Sequence, residues 1–196
     1  MSPPSAAVND AIQHAVRDHL EVVAALSPLL PAVERLGERM RASLRQGGKV
    51  VWMGNGGSAA DSQHLAAEMV GRYRRERRGL AAIALTTDSS ILTSVGNDYG
   101  FDHVFARQVE ALCTERDVVV GISTSGNSRN VLAGLEAARA LGAHTAGLLG
   151  GDGGCIRTLC DSPLVVPSAD TPRIQEAHIL IGHILCDLID AEADLG

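Results

Sequence analysis

The chain has 196 residues, 45% of them hydrophobic, which is enough to bury one sizeable core but short for two ordinary domains. The formal net charge of −6 argues against a general nucleic-acid-binding or anionic-membrane-binding protein, because phosphate groups are bound by concentrated basic surfaces. No stretch reaches the roughly 20 apolar residues of a membrane span, and the first residues lack the basic and apolar regions of a signal peptide. We therefore expect one cytoplasmic domain over residues 1–196, with no nucleic-acid or membrane partner.

Two helices are predicted before the first strand. Apolar residues recur at helical spacing from Val8 to Leu26, and a second helical pattern runs from Pro31 to the glycines at 47 and 48. A leading helical pair has no strand to connect, so we interpret residues 1–47 as a helical arm that could form a dimer. Residues 48–196 are then the α/β core and the C-terminal helix.

Short apolar runs predict five strands. Lys49–Met53, Ala81–Leu85, Asp117–Ile122 and Thr145–Leu149 are each followed by a turn rich in Gly, Ser or Thr, and Pro163–Val166 is a candidate edge strand. Such runs are typical of strands buried on both faces. Because helix-compatible segments alternate with them, we expect a three-layer αβα sandwich with a mostly parallel five-stranded sheet. A ligand site is expected at the carboxyl ends of its strands.

A glycine-rich turn follows the first predicted strand. It reads GNGGSAAD over residues 54–61 and opens a helix, where free backbone N–H groups and the helix dipole favour an anion or a polyol. The turn also fits the looser dinucleotide fingerprint. The acidic residue expected about 20 positions later would be Glu76, which lies inside an arginine-rich run rather than at the end of a strand. An NAD site is therefore a poor interpretation.

The arginine-rich run comprises Arg72, Arg74, Arg75, Arg77 and Arg78. A run of like charges is usually a solvated helix end or loop, and that is the prediction here. One of these arginines could instead serve a phosphate site or a subunit interface.

A hydroxyl-rich turn follows the third predicted strand and leads into a helix predicted over residues 129–141. It consists of Ser123, Thr124, Ser125, Gly126, Asn127 and Ser128. Hydroxyl groups and a glycine at a helix N-terminus make a cradle for one phosphate monoester. The turn lacks the lysine of a P-loop, which disfavours a nucleoside triphosphate. Simple capping of the helix by one or two hydroxyls is the alternative interpretation.

Two predicted helices carry candidate catalytic and metal-binding side chains. His64 and Glu68 are four residues apart on the helix after the glycine-rich turn, so both project from one face. Gln175 and His183 lie a little more than two turns apart on the last helix, which begins near Thr171. A solvent-exposed pair on the first helix and a buried structural histidine on the second are the alternatives.

These side chains suit two kinds of chemistry. A Glu and a His facing a sugar phosphate fit an aldose–ketose isomerisation, in which a base removes the proton beside the carbonyl and an acid polarises its oxygen. The same four residues could also hold a divalent metal such as zinc through two imidazole nitrogens and two side-chain oxygens. Zinc would then polarise the carbonyl.

Four segments in order resemble the phosphoheptose isomerases, sugar isomerases of the SIS fold group: GNGGSAADSQHLAAE, ALTTDSSILTSVGNDYG, ISTSGNS and SADTPRIQEAHILIGHILC. The resemblance covers nearly the whole chain. It implies conversion of sedoheptulose 7-phosphate to D-glycero-D-manno-heptose 7-phosphate through an enediol, as a step in heptose biosynthesis. It also implies a homotetramer with active sites at subunit interfaces.

The resemblance implies roles for individual residues as well. Glu68 would be the base and His183 the acid. One zinc ion would be held by His64, Glu68, Gln175 and His183, so that Glu68 would serve as both ligand and base. The substrate would be bound by Asn55, Gly56, Gly57, Glu68, Arg72, Asn97, Asp98, Ser123, Thr124, Ser125, Ser128 and Gln175. Asn97 and Asp98 are expected in a loop, and Asp170 is expected only to cap the last helix.

Two alternatives keep the fold but change the function. The SIS group includes non-catalytic regulators that bind partner proteins, and fold alone does not separate them from enzymes. Phosphate binding and enediol chemistry also fit isomerases of other sugar phosphates. The presence of both Glu68 and His183, with Gln175 and the hydroxyl-rich turn, favours the enzyme.

Overall fold

The computed structural model describes residues 6–191, so the first five and last five residues of the predicted 1–196 domain lie outside it. Helix α1 runs over Ala6–Ala24 and helix α2 over Leu30–Arg45, with a 3-10 turn at Ser27–Leu29 between them. The two predicted leading helices are therefore present. None of the helices within the described part of the chain has the length and hydrophobicity needed to cross a bilayer.

A single five-stranded sheet forms the middle layer. Its strands are β1 Val50–Gly54, β2 Ala82–Ala84, β3 Val118–Ser123, β4 His144–Gly150 and β5 Ser162–Val166. Every boundary lies within one residue of the prediction. The order is β2-β1-β3-β4-β5, and all four pairings are parallel, so the sheet is entirely parallel rather than mostly so.

The helices that follow β1 are α3 Gly57–Val70, α4 Ser89–Tyr99, α5 Ala106–Leu112, α6 Arg129–Ala140, α7 Gly154–Leu159 and α8 Thr171–Asp190.

Helices cover both faces of this sheet. Helix α2 lies on one face with α3 and α8, and α5, α6 and α7 lie on the other, with α4 packed beside them. Alternate residues of β1 point to opposite faces of the sheet. Trp52 is buried in the core beneath α2, α3 and α8, and Met53 is buried in the core beneath α5, α6 and α7. The predicted three-layer sandwich is confirmed.

Strands β1 and β3 lie side by side where the winding of the sheet reverses. From β1 the chain crosses through α3 to β2 on one side, whereas from β3 it crosses through α6 to β4 on the other. Gly54 at the end of β1 is paired with Ile122 near the end of β3. In open parallel sheets the ligand crevice forms at such a point, outside the carboxyl ends of the strands. The glycine-rich and hydroxyl-rich turns are therefore neighbours.

The prediction that Asn97 and Asp98 lie in a loop is wrong, because both residues belong to the last turn of α4. The Asp88 carboxylate accepts a hydrogen bond of 2.9 Å from the backbone N–H of Ile91 and so caps the start of the helix. Gly100, with a φ of +89°, ends it. The left-handed residue that breaks the helix is therefore Gly100, just beyond the segment expected to turn.

The arginine-rich run is a loop whose arginines are exposed, as predicted, except for Arg77. The Arg77 side chain is only 10% exposed, and its Nε lies 2.6 Å from Oδ1 of Asp190 on α8. A buried guanidinium is stable only with an anionic partner and further hydrogen bonds. Arg77 has both, because it also donates to carbonyl oxygens at the end of α3.

The predicted capping role of Asp170 is also wrong. Asp170 occupies the N-cap position of α8, but its side chain makes no capping hydrogen bond. A capping side chain accepts from one of the first backbone N–H groups of the helix. Pro172 is the second residue of α8, and as a proline it has no N–H to donate to a capping side chain.

Candidate active site

Helices α3 and α8 bring three of the predicted ligands together. His64 Nε2 lies 2.9 Å from His183 Nε2 and 3.4 Å from Glu68 Oε1. One ligand atom from each of the three residues lies within 4.8 Å of the other two. Two imidazole nitrogens that face each other so closely need a proton or a cation between them, because their lone pairs repel. The Glu68 side chain is 24% exposed and the His64 side chain 47%, so a ligand can reach the group.

The close approach of α3 and α8 depends on a glycine next to His183. A Cβ at Gly182 would overlap the side chain of Leu65, which is fully buried on α3. Leu65 and Ile181 belong to the same core. Apolar packing thus holds the helices together one residue away from the polar cluster.

Gln175 lies over the glycine-rich turn. A Cβ on Gly57, the first residue of α3, would overlap the Gln175 amide. The space left by the missing side chain is therefore occupied by the amide of α8. Gly57 lies seven residues before His64, about two turns, so the Gln175 amide lies at the N-terminal end of the helix that carries His64 and Glu68.

The hydroxyl-rich turn closes on itself. Ser123 Oγ at the end of β3 lies 2.9 Å from Ser128 Oγ. Ser128 occupies the N-cap position of α6, yet its side chain makes no capping hydrogen bond. The Ser128 hydroxyl therefore does not cap the helix, which argues against the capping interpretation. The hydroxyl groups of Ser123 and Ser128 lie beside the N-terminus of α6, where an anion could bind them.

An amide pair joins the two turns. Asn55 Nδ2 donates to Asn130 Oδ1 at 2.9 Å, and Asn130 Nδ2 donates to Asn55 Oδ1 at 2.8 Å. Asn130 is buried in the first turn of α6, and its Oδ1 also accepts the backbone N–H of Val131. The Asn55 side chain is thus directed at the neighbouring turn.

Comparison with known proteins identifies the family. A model of the SIS domain matches residues 13–150. The phosphoheptose isomerase of Geobacter sulfurreducens is 60% identical over 182 residues, which are 92% of this chain and 96% of that protein. This chain belongs to the phosphoheptose isomerase family. The predicted family and the predicted enzyme class, a sugar-phosphate isomerase, are confirmed.

Solved phosphoheptose isomerases share the fold over nearly the full length. The structure from Neisseria gonorrhoeae is 48% identical, with a TM-score of 0.84, and the alignment covers 94% of this chain and 97% of that one. The structure from Francisella tularensis is 39% identical, with a TM-score of 0.86 and the same coverage. The leading helices are thus part of the shared fold.

Three residues expected to bind substrate make no direct polar contact with the histidine–glutamate cluster in the described part of the chain. Arg72 is exposed, with its Nε 3.6 Å from Oε2 of Glu76. Asn97 and Asp98 are exposed at the end of α4, where Asn97 Nδ2 donates to Asp98 Oδ1 at 2.9 Å. Within residues 6–191, no hydrogen bond or ion pair joins these side chains to His64, Glu68 or His183.

Sequence reasoning missed two further residues beside the cluster. The Tyr73 ring is stacked on His183, with ring centres 5.6 Å apart and an interplanar angle of 21°. Asp61 Oδ2 is buried and has no hydrogen-bond partner in the described part of the chain. Burial raises the pKa of the Asp61 carboxyl, and nearby His64 opposes this shift. The helical spacing of Asp61, His64 and Glu68 would have identified Asp61, whereas no local pattern indicates Tyr73.

Proposed function

We propose that the protein converts sedoheptulose 7-phosphate to D-glycero-D-manno-heptose 7-phosphate. Family membership supports a sugar-phosphate isomerase of heptose biosynthesis. The observation that carries the specific proposal is the convergence of Glu68 and His183, which lie on different helices. Two neighbouring turns at the carboxyl ends of β1 and β3 are suited to a sugar and a phosphate. One acid–base pair next to one anion cradle is what an aldose–ketose isomerisation requires.

In the proposed mechanism, Glu68 removes a proton from C1 of the ketose while His183 donates a proton to the carbonyl oxygen on C2. The product of this step is the enediol. Return of a proton to C2, with loss of the proton on the C1 oxygen, then gives the aldose. Atoms and electrons balance without a redox cofactor, because the reaction moves two hydrogens within one molecule.

We place the phosphate in the hydroxyl-rich turn. Ser123, Thr124, Ser125 and Ser128 supply hydroxyl donors, and the N-terminus of α6 supplies backbone N–H groups and a favourable dipole. The sugar chain would then extend towards Gly56 and Gly57, with Arg72, Asn97 and Asp98 as outer contacts. The Asn55–Asn130 pair supports this arrangement because it holds the two turns at a fixed separation.

We propose zinc as the metal of this site. His64, Glu68 and His183 form a cluster of three donors, and Gln175 would be the fourth ligand. Two imidazoles, a carboxylate and an amide oxygen are a donor set that zinc accepts. When bound, zinc would polarise the substrate carbonyl. Metal analysis of purified wild-type protein and of His64→Ala tests this directly, since only the wild type should retain zinc through gel filtration.

Turnover of sedoheptulose 7-phosphate by the purified full-length protein tests the function. We expect the heptose product from the wild type, and a fall in kcat of at least about a hundredfold in Glu68→Gln and in His183→Ala. Glu110→Gln and His14→Ala are matched controls, because both side chains are exposed on other helices. No turnover by the wild type, with or without added zinc, would refute the proposed substrate. Undiminished turnover by both site variants would refute the mechanism alone.

A further inference from the structure

The loop that carries the arginine-rich run also carries the aromatic ring nearest to His183. Tyr73 is half-buried against the core that contains α3 and α8. Its ring covers one face of the His183 imidazole, while the His64 ring meets it edge-on at 5.1 Å and 71°. His183 is thus held by one ring on its face and another at its edge. Both contacts restrict rotation of the imidazole whose Nε2 points at His64.

Asp190 attaches this loop to the helix that carries His183. Its Oδ2 accepts the backbone N–H groups of Arg74 at 2.8 Å and of Arg75 at 3.2 Å, directly after Tyr73. Asp190 lies seven residues after His183 on α8, close to two full turns, so both side chains project from the same side of the helix. The position of the Tyr73 backbone is therefore set by α8 itself.

Arg77 attaches the same loop to the helix that carries Glu68. Its guanidinium donates to the carbonyl oxygen of Glu68 at 3.1 Å and to that of Met69 at 3.0 Å, while its Nε binds Asp190 at 2.6 Å. A cation at these orphan carbonyls also suits the negative end of the helix dipole. One buried ion pair thus connects the backbone of Glu68 to the helix of His183, with Tyr73 between them.

We propose that Tyr73 is a positioning residue for His183, and that the Arg77–Asp190 pair holds it in place. The proposal rests on the proposed acid role of His183. The aromatic ring carries the effect, because the Tyr73 hydroxyl makes no hydrogen bond within residues 6–191. A phenylalanine at position 73 should therefore still position His183. A leucine, which fills similar apolar space without a flat ring, should not.

Kinetics of Tyr73→Phe and Tyr73→Leu with sedoheptulose 7-phosphate separate positioning from structure. We expect Tyr73→Leu to lower kcat on the order of tenfold to a hundredfold with little change in KM, because a misaligned acid slows the chemical step more than binding. Tyr73→Phe should keep nearly wild-type values. A kcat of Tyr73→Leu within about twofold of wild type, or an equal loss in both variants, would overturn the proposal.

A second measurement does not need turnover. In histidine-labelled full-length protein, the ring protons of His183, assigned with His183→Gln, should show an upfield ring-current shift in wild type and in Tyr73→Phe that is lost in Tyr73→Leu. The signals of buried His178 report whether each variant is folded. If the wild type does not use sedoheptulose 7-phosphate, this shift still tests the Tyr73–His183 contact. An unchanged His183 shift in folded Tyr73→Leu would refute it.

Discussion

At the scale of single residues, Gly57 is the position where one added methyl group would disturb the site most directly. A Cβ there would overlap the Gln175 amide, while the φ of Gly57 is not positive and suits alanine. We expect Gly57→Ala to lower kcat by about tenfold or more by displacing Gln175, with little change in Tm. In a Gln175→Ala background the same substitution should have almost no effect on kcat. An equal loss in both backgrounds, measured by steady-state kinetics, would show that Gln175 is not the cause.

His178 sets a pH dependence of stability. Its Nε2 donates to the Leu149 carbonyl oxygen at 3.0 Å, and burial lowers the pKa of the His178 imidazole from 6.5 to about 4. Between these values the unfolded chain binds a proton that the folded protein does not. The free energy of unfolding should therefore be unaffected by this group above pH 6.5 and fall by up to roughly 3 kcal/mol towards pH 4.

Denaturant unfolding at several pH values measures this slope. His178→Gln, which keeps a donor near the Leu149 carbonyl, should flatten the slope between pH 6.5 and pH 4. Part of it should remain, because burial also lowers the pKa of His144. An unchanged slope in His178→Gln would contradict the assignment. Carboxylates whose pKa is lowered in the fold, such as Asp117, lose their contribution only at still lower pH.

At the scale of secondary structure elements, one carboxylate joins the starts of β1 and β3. Asp117 is 1% exposed and accepts hydrogen bonds from the Lys49 backbone N–H, Lys49 Nζ and the Thr114 backbone N–H, at 2.7 to 2.8 Å. Burial alone would raise the pKa of Asp117, but the hydrogen bonds from Lys49 and Thr114 outweigh it and lower the pKa. We expect Asp117→Asn to reduce the free energy of unfolding by about 2–4 kcal/mol in urea titrations.

The Asp117→Asn variant should keep its catalytic activity although it is less stable. Asp117 lies at the amino ends of the strands, at the opposite edge of the sheet from the glycine-rich and hydroxyl-rich turns. We expect the kcat of Asp117→Asn to match wild type at a temperature where both are folded. Asp102→Asn is the matched control for stability, because its ion pair with Arg129 is exposed and should contribute well under about 1 kcal/mol.

At the scale of the whole molecule, α1 leaves an apolar stripe uncovered. Val8, Ile12, Val16 and Leu20 are spaced four residues apart and are 49–60% exposed. Such a stripe is typical of an interface, and we propose that the arm contributes to the homotetramer with interfacial active sites that the family resemblance implies. We expect the double variant Ile12→Glu, Leu20→Glu to have a lower mass by light scattering and reduced kcat. Gln13→Glu, an added charge off the stripe, should change neither, and a fully active wild-type monomer would contradict the proposal.

Much of the fold and the chemistry of the site was predictable from the sequence by itself. Each strand is a short apolar run closed by a turn, and each predicted boundary lies within one residue of the structure because these signals are local. Four motifs in order also identified the family and named His64, Glu68 and His183. Local signals did not predict the environment of residues that bind partners far away in the sequence, such as Arg77, which forms an ion pair with Asp190.

Only the tertiary structure decided which of these side chains meet. His64 and His183 are 119 positions apart, and their contact exists because α3 and α8 pack on the same face of the sheet through Leu65 and Gly182. The same docking brings Tyr73 over His183, a relation that no spacing along the chain records. Sequence patterns specify elements because hydrogen bonding and periodicity act over a few residues, whereas distances across the core depend on how the packed layers fit together.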